Sequence, residues 1–298
     1  MTLTVIILTY NEARHIERAI QSVRGIADSV VVVDSGSQDE TLAIAQNLGA
    51  ETLSNPWKNH ATQFNWALDN LSQRADWVLR LDADEVLSAD LAHQIAATLP
   101  GLGPEISGVT MGRRMAFLGR PIRHGGLFPI RVLRLFRPDK GRCENRWMDE
   151  HITVDGKTHD LPGEMLDDNL NSLTWWTEKH NAYASLEALE MLNLEHGFLH
   201  REGDASLCQK QAGAKRWIKE RVYSKMPAGL RALVYFLYRY GLRAGFLDGR
   251  EGLAFHVLQG FWYRFLVDAK LAETRAYMTR TGCDPPTAIQ AVLGIDVS

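Results

Sequence analysis

Only three cysteines, Cys143, Cys208 and Cys283, occur in the chain, and they lie far apart. So sparse and odd a set supplies neither a zinc cluster nor a disulfide framework, and it fits a reducing cytosol. Long apolar runs are missing as well: no stretch approaches the roughly 20 residues that a bilayer-spanning helix needs. Residues 1–8 lack a basic segment and a small-residue cleavage site, and their apolar run stops at Tyr10-Asn11-Glu12. That pattern predicts a buried first strand and not a signal peptide. Neither Gly-x-Gly-x-x-Gly after this strand nor Gly-x-x-x-x-Gly-Lys-Ser/Thr anywhere is found, which disfavours a dinucleotide oxidoreductase and a P-loop enzyme.

What is present suffices for a sizeable core. The chain has 298 residues, 45% of them hydrophobic, enough for one large domain or one domain with an appendage. The net charge of −3 hides an asymmetry: residues 200–280 carry 15 Lys and Arg against 7 Asp and Glu, so the rest carries −11. An acidic catalytic part and a basic attachment surface follow from that division, and nothing points to nucleic acid as a partner.

Strand and helix patterns alternate over the first hundred residues. Apolar, β-branched stretches at 3–8, 29–33, 50–53 and 77–81 read as strands. Residues 12–23, 41–48 and 61–71 have helical periodicity, and Ser37 with Glu40 predicts a capping box ahead of the second helix. Near-continuous hydrophobic strands separated by helices imply a parallel sheet covered on both faces. Ligands bind such sheets beyond the carboxyl ends of the strands. The polar segments 9–12, 34–37 and 82–85 therefore converge on one rim. The third, Asp82-Ala83-Asp84-Glu85, offers hard oxygen ligands to a divalent cation while leaving positions open for phosphates. From residue 106 extended segments at 106–111, 115–118 and 131–136 read as antiparallel strands. After residue 172 the chain reads as helical, with a boundary near 197–205.

Val5-Ile6-Ile7-Leu8-Thr9-Tyr10-Asn11-Glu12, Val31-Val32-Val33-Asp34-Ser35-Gly36-Ser37 and Leu81-Asp82-Ala83-Asp84-Glu85 together resemble the three ordered motifs of the inverting glycosyltransferase family 2, of GT-A fold. Arg134-Leu135-Phe136, Trp147-Met148-Asp149-Glu150-His151 and Gly245-Phe246-Leu247-Asp248-Gly249-Arg250 resemble its lipopolysaccharide-core and exopolysaccharide branch. The resemblance implies an α/β GT-A domain over residues 1–200, a Rossmann-like, mostly parallel sheet with flanking helices. A basic amphipathic helical region over 201–298 follows it. It further implies a nucleotide-sugar donor, such as a UDP-sugar, a glycolipid or oligosaccharide acceptor, and Mg²⁺ or Mn²⁺. By the same resemblance Thr9, Tyr10, Glu12 and Asp34 line the nucleoside pocket, Asp82 faces ribose and metal, and Asp84 is the principal metal ligand. Glu85 is expected to be a supporting carboxylate. Ser35 stands where many relatives carry a second acid.

Inversion by direct displacement needs a carboxylate base on the acceptor face. By the resemblance, Glu150 aligns better with the acidic residue of that branch and Asp149 is the alternative, and the nearby apolar ring of Trp147 would raise the pKa. His124, Arg131, Arg134 and His151 are candidates for holding diphosphate or acceptor oxygens. In the stretch 228–247, Arg231, Arg239 and Arg243 fall within about a 120° arc at helical spacing, with most Leu and Val outside it. Lys210, Lys215, Arg216, Lys219, Arg221 and Lys225 precede it. An interfacial helix on an anionic leaflet is one reading, which places the protein peripherally on the inner face of the cytoplasmic membrane. A helix packed against the catalytic domain is the other. A sugar-nucleotide pyrophosphorylase and a catalytically silent scaffold are the competing functions. The first expects a glycine-rich basic loop where Thr9-Tyr10-Asn11-Glu12 stands, and the second does not need an intact Asp-x-Asp.

Overall fold

The computed structural model describes residues 1–128, 130–144, 151–199 and 229–297. They form two compact units, one of residues 1–123 with 127–171, the other of residues 124–126 with 172–298. The division at 171/172 precedes the change in composition at 197–205.

Parallel strands β1 (Leu3–Thr9), β2 (Ser29–Asp34), β3 (Glu51–Ser54) and β4 (Trp77–Asp82) begin the first unit. They are followed by β5 (Glu85–Leu87), β6 (Ile106–Phe117), β7 (Arg120–Pro121), β8 (Ile130–Phe136), β9 (Gly141–Cys143), β10 (Ile152–Val154) and β11 (Lys157–Asp168). The main sheet runs β3-β2-β1-β4-β8-β6-β11-β5, with β7 attached to β6. This is the α/β class with flanking helices that the sequence predicts; the sheet is mixed, parallel from β3 to β4 and between β6 and β11, antiparallel at β5, β7 and β8.

Both faces are covered, as the unbroken apolar strands require. Val5, Ile7, Leu79 and Leu81 pack with Ile16, Ala19 and Ile20 of α1 (Ile16–Val23) on one face. Ile6, Val31, Val33 and Val78 meet Ala61, Phe64 and Ala67 on the other. Alternate residues of one strand thus serve opposite layers.

Three local expectations are corrected. Helix α1 starts at Ile16, not at residue 12, because Asn11 adopts φ 57° and the Glu12 carbonyl accepts from the amides of both His15 and Ile16 in a tight turn. The capping box ahead of α2 (Thr41–Asn47) does not form. The Ser37 hydroxyl donates to Asp34 Oδ1 at 2.5 Å, and Asp39 instead accepts the Thr41 amide at 3.0 Å. One strand, β6, replaces the two expected at 106–111 and 115–118, since Gly112 to Arg114 stay paired with β11 and a register shift at Val109/Thr110 absorbs the irregularity against β8. The antiparallel pairing expected of the segments at 106–118 and 131–136 is present between β6 and β8, and β11, for which there was no reading from the sequence, lies parallel to β6. Two further helices, α3 (His60–Asp69) and α4 (Ala89–Thr98), open on side-chain caps from Asn59 and Ser88.

The second unit is helical, as expected. Ser172 caps α5 (Leu173–His196), which ends at Gly197 in the left-handed conformation. Helix α6 (Leu230–Leu237) runs into a π-helical turn at Tyr238–Leu242. Helix α7 (Gly249–Phe255) continues through a π-helical stretch, His256–Trp262, into α8 (Tyr263–Thr281), and α9 (Pro285–Leu293) follows. Ala188, Leu189, Leu192, Leu271 and Ile289 form its core. Residues 124–126 belong to this unit through Asp248, whose two oxygens meet the His124 amide at 2.9 Å and Nδ1 at 2.7 Å. The Gly125 amide donates to the Arg243 carbonyl. Among the described residues no helix is long and apolar enough to cross a membrane.

Candidate functional site

The parallel register brings the three polar strand ends together. Thr9 lies opposite Asp34 across β1 and β2, and Leu8 opposite Asp82 across β1 and β4. The rim therefore exists as the strand pattern demands, and its loops are built by the residues singled out there.

Asp34 is buried and fully engaged. Its Oδ1 accepts from the Thr9 and Ser37 hydroxyls, and its Oδ2 from the Gly36 and Ser37 amides, each amide at 2.8 Å. With two acceptors shared by four donors, this carboxylate shapes the loop that follows β2. Asn11 ties the opposing loop to it: its amide donates to Ser37 Oγ and its Oδ1 accepts the Gln38 amide, both at 2.8 Å. Tyr10 is exposed at the same rim. The Glu12 carboxylate sits 2.6 Å from His15 Nδ1, while His15 Nε2 accepts the Leu170 amide at 2.8 Å. That acceptor role fixes the proton on Nδ1, so the buried imidazole donates to Glu12.

Around the Asp-x-Asp turn the strands deliver three arginines that no single motif announces. Arg134 donates to Asp82 Oδ2 and to Glu85 Oε1, both at 2.7 Å. Arg80 Nε lies 3.4 Å from Asp82 Oδ1, and Arg113 lies 3.0 Å from Glu85 and 2.6 Å from Asp167. Glu85 is wholly buried and also accepts the Asp82 amide at 3.0 Å. Burial works against ionisation of Asp82, yet Arg134, Arg80 and Arg113 outweigh it and hold the carboxyl far below the usual range. Burial pushes Glu85 up, reinforced by the Asp82 charge against the pull of Arg134 and Arg113. Burial likewise pushes Asp167 up to about 7 against the pull of Arg113, with the charges of Asp84, Glu85 and Asp82 adding to the rise.

Asp84 differs from its neighbours. It is half-buried, accepts from Asn169 Nδ2 at 3.0 Å, and has no ion pair among the described residues. Also among the described residues, no three His, Cys, Asp or Glu side chains gather into a ligand set. The chemistry of this donor set nevertheless fits a small hard cation, which is held by one or two carboxylates with substrate phosphates completing its shell.

The remaining candidates separate. Asp149 and Glu150, with Trp147, lie outside the described residues. Arg131 pairs with Asp160, and His124 belongs to the second unit. Sequence reasoning missed Arg80, Arg113, Asp167 and His15. The only signal for them was the run of arginines at 113–114 and the acidic pair Asp167-Asp168.

Residues 4–146 match the model described as Glycosyl transferase family 2. An uncharacterized glycosyltransferase of Rickettsia bellii is 46% identical over 93 residues, 31% of each chain. The match thus spans about a third of the length of such relatives. The lipopolysaccharide core biosynthesis glycosyltransferase LpsC of Rhizobium meliloti is 26% identical over 294 residues, covering 95% of this chain and 97% of that one. Among solved structures, glucosyl-3-phosphoglycerate synthase of Mycobacterium tuberculosis, in complex with Mn²⁺, UDP and glucosyl-3-phosphoglycerate, shares 26% identity at a TM-score of 0.33. That likeness covers 38% of this chain and 44% of the other.

Proposed function

We propose that this chain, whose residues 4–146 match the glycosyl transferase family 2 model, moves a sugar with inversion from a nucleotide-diphosphate sugar to a glycolipid or growing glycan. The donor is read as a UDP-sugar, the cation as Mg²⁺ or Mn²⁺, and the setting as bacterial envelope polysaccharide synthesis on the inner face of the cytoplasmic membrane. The observation that carries this reading is the meeting of the β1, β2 and β4 ends at one rim that ends in Asp82-Ala83-Asp84. The likeness to LpsC over nearly its whole length supports the lipopolysaccharide setting.

In this reading Tyr10 offers an exposed ring to the base, and Thr9 and Glu12 border the nucleoside. Asp34 acts through the loop it holds, because its oxygens are already taken. Asp84, helped by Asp82, would hold the cation, which when bound neutralises charge on the departing nucleotide diphosphate. Arg134 and Arg80 keep Asp82 ionised for the ribose side. Glu150, or Asp149, takes the proton from the acceptor hydroxyl as its oxygen bonds to the anomeric carbon and the nucleotide diphosphate leaves from the opposite face.

Calorimetric titration with UDP-sugars in the presence of Mn²⁺ tests the site. Asp84→Ala should abolish metal-dependent donor binding at an unchanged melting temperature, and Glu150→Gln should keep binding and lose turnover. Donor binding that survives Asp84→Ala in full would sink the assignment.

A further inference from the structure

Helix α6 is turned the opposite way from a helix on a soluble protein. Leu230, Leu233, Val234, Leu237 and Tyr238 are all exposed, at the i, i+3, i+4, i+7, i+8 spacing of a single face. Beyond it Leu242 is 83% exposed, Phe246 52% and Leu247 55%. Two cationic side chains of the same segment go inward. Arg231 donates through Nε to the buried Asp268 at 2.7 Å, and Arg239, 1% exposed, donates to Gln259 at 2.8 Å. An apolar stripe of this length on the outside marks an interaction surface.

We propose that this face of the second unit seats in the boundary between headgroups and acyl chains of an anionic bilayer. The inference rests on reading the chain as a peripheral envelope enzyme, and it names the surface and the mode of attachment. Charge selects the occupant. Exposed Arg243 and Arg250 bracket Phe246 and Leu247, and they form the cationic rim of the stripe among the described residues. A second copy would set these like charges against one another. An acidic protein would satisfy the cations and leave leucines facing carboxylates. A bilayer interface presents hydrocarbon to the stripe and phosphates to the rim at once, with Tyr238 suited to the border. Because Arg231 and Arg239 are spent on internal partners, attachment depends chiefly on apolar insertion, with anionic lipid strengthening it.

Flotation of the full chain with vesicles of phosphatidylcholine, with and without phosphatidylglycerol, tests this. Leu237→Asp and Leu242→Asp, both at exposed positions, should each lower partitioning about tenfold, the worth of burying roughly half a leucine side chain. Leu194→Asp, at an exposed position on α5, should leave it unchanged. Circular dichroism and donor binding confirm that the variants fold. Wild-type binding that neither stripe substitution weakens overturns this surface and leaves peripheral attachment standing. Absence of wild-type binding to both vesicle types overturns both. A dimer in light scattering that Leu237→Asp dissociates assigns the face to a second copy and overturns the lipid assignment.

Discussion

Arg134→Met removes the cation that two carboxylates share while keeping an apolar stem in its place. Glu85 would then face only Arg113 at 3.0 Å and the Asp82 amide at 3.0 Å, with no access to water. Asp82 loses less, because its side chain is 30% exposed and Arg80 remains near. Arg113 still partners Glu85, so the cost falls short of a fully broken buried pair, about 1.5–3 kcal/mol, and nearly all of it falls on Glu85. Glu85 has an escape, since burial already favours its protonated form. The loss should therefore be larger at high pH than at low pH, where a proton can replace the missing guanidinium. Urea unfolding followed by tryptophan fluorescence and circular dichroism measures this, with coincidence of the two signals checking cooperativity. Adding Glu85→Gln to Arg134→Met should recover at least half of the loss at pH 8. A cost below about 1 kcal/mol that does not vary with pH, or additivity within about 0.5 kcal/mol, would refute the account of Glu85 as a charge neutralised from β8.

Asp167→Asn should flatten the dependence of stability on pH. Its carboxyl rises from 3.8 to about 7 on folding, so the folded chain binds the extra proton between those values and stability falls as pH rises through them. Thermal melts at intervals from pH 4 to 8 show whether the slope goes. Asp34→Ala strips four donors of their shared acceptor and should cost about 2–3 kcal/mol in urea unfolding, together with donor affinity. Gly125→Ala combines φ +88° with a Cβ placed 2.2 Å from His256 Cε1, so a loss of about 2–4 kcal/mol in the second unit is expected from calorimetry.

The strands that carry the rim were legible because Leu3–Thr9, Ser29–Asp34 and Trp77–Asp82 are apolar without interruption, and parallel pairing then aligns their ends. The arginine frame around Glu85 was not legible. Arg80, Arg113 and Arg134 come from three different strands, and only the order β4-β8-β6 makes them neighbours. Asp167 joins them from β11, whose parallel pairing with β6 no local pattern announces. The α6 periodicity defined two faces but could not say which meets solvent, since that depends on distant Asp268 and Gln259. Local competition misled the remaining readings: Asp34 captures the Ser37 hydroxyl that would have capped α2, and the turn at Asn11 consumes the first residues of the pattern assigned to α1.

The placement of residues 124–126 with the C-terminal helices has a consequence for recombining this protein with its relatives. A cut at 171/172 leaves His124-Gly125-Gly126 on the first fragment and Asp248, which holds His124 by amide and imidazole, on the second. Gly125 and Gly245 both press on His256, where neither tolerates a Cβ. The helical unit is therefore not a cassette that can be grafted at one junction. A chimera that exchanges it must carry the tripeptide along with the Gly245–Asp248 segment, or accept a buried aspartate facing a foreign loop.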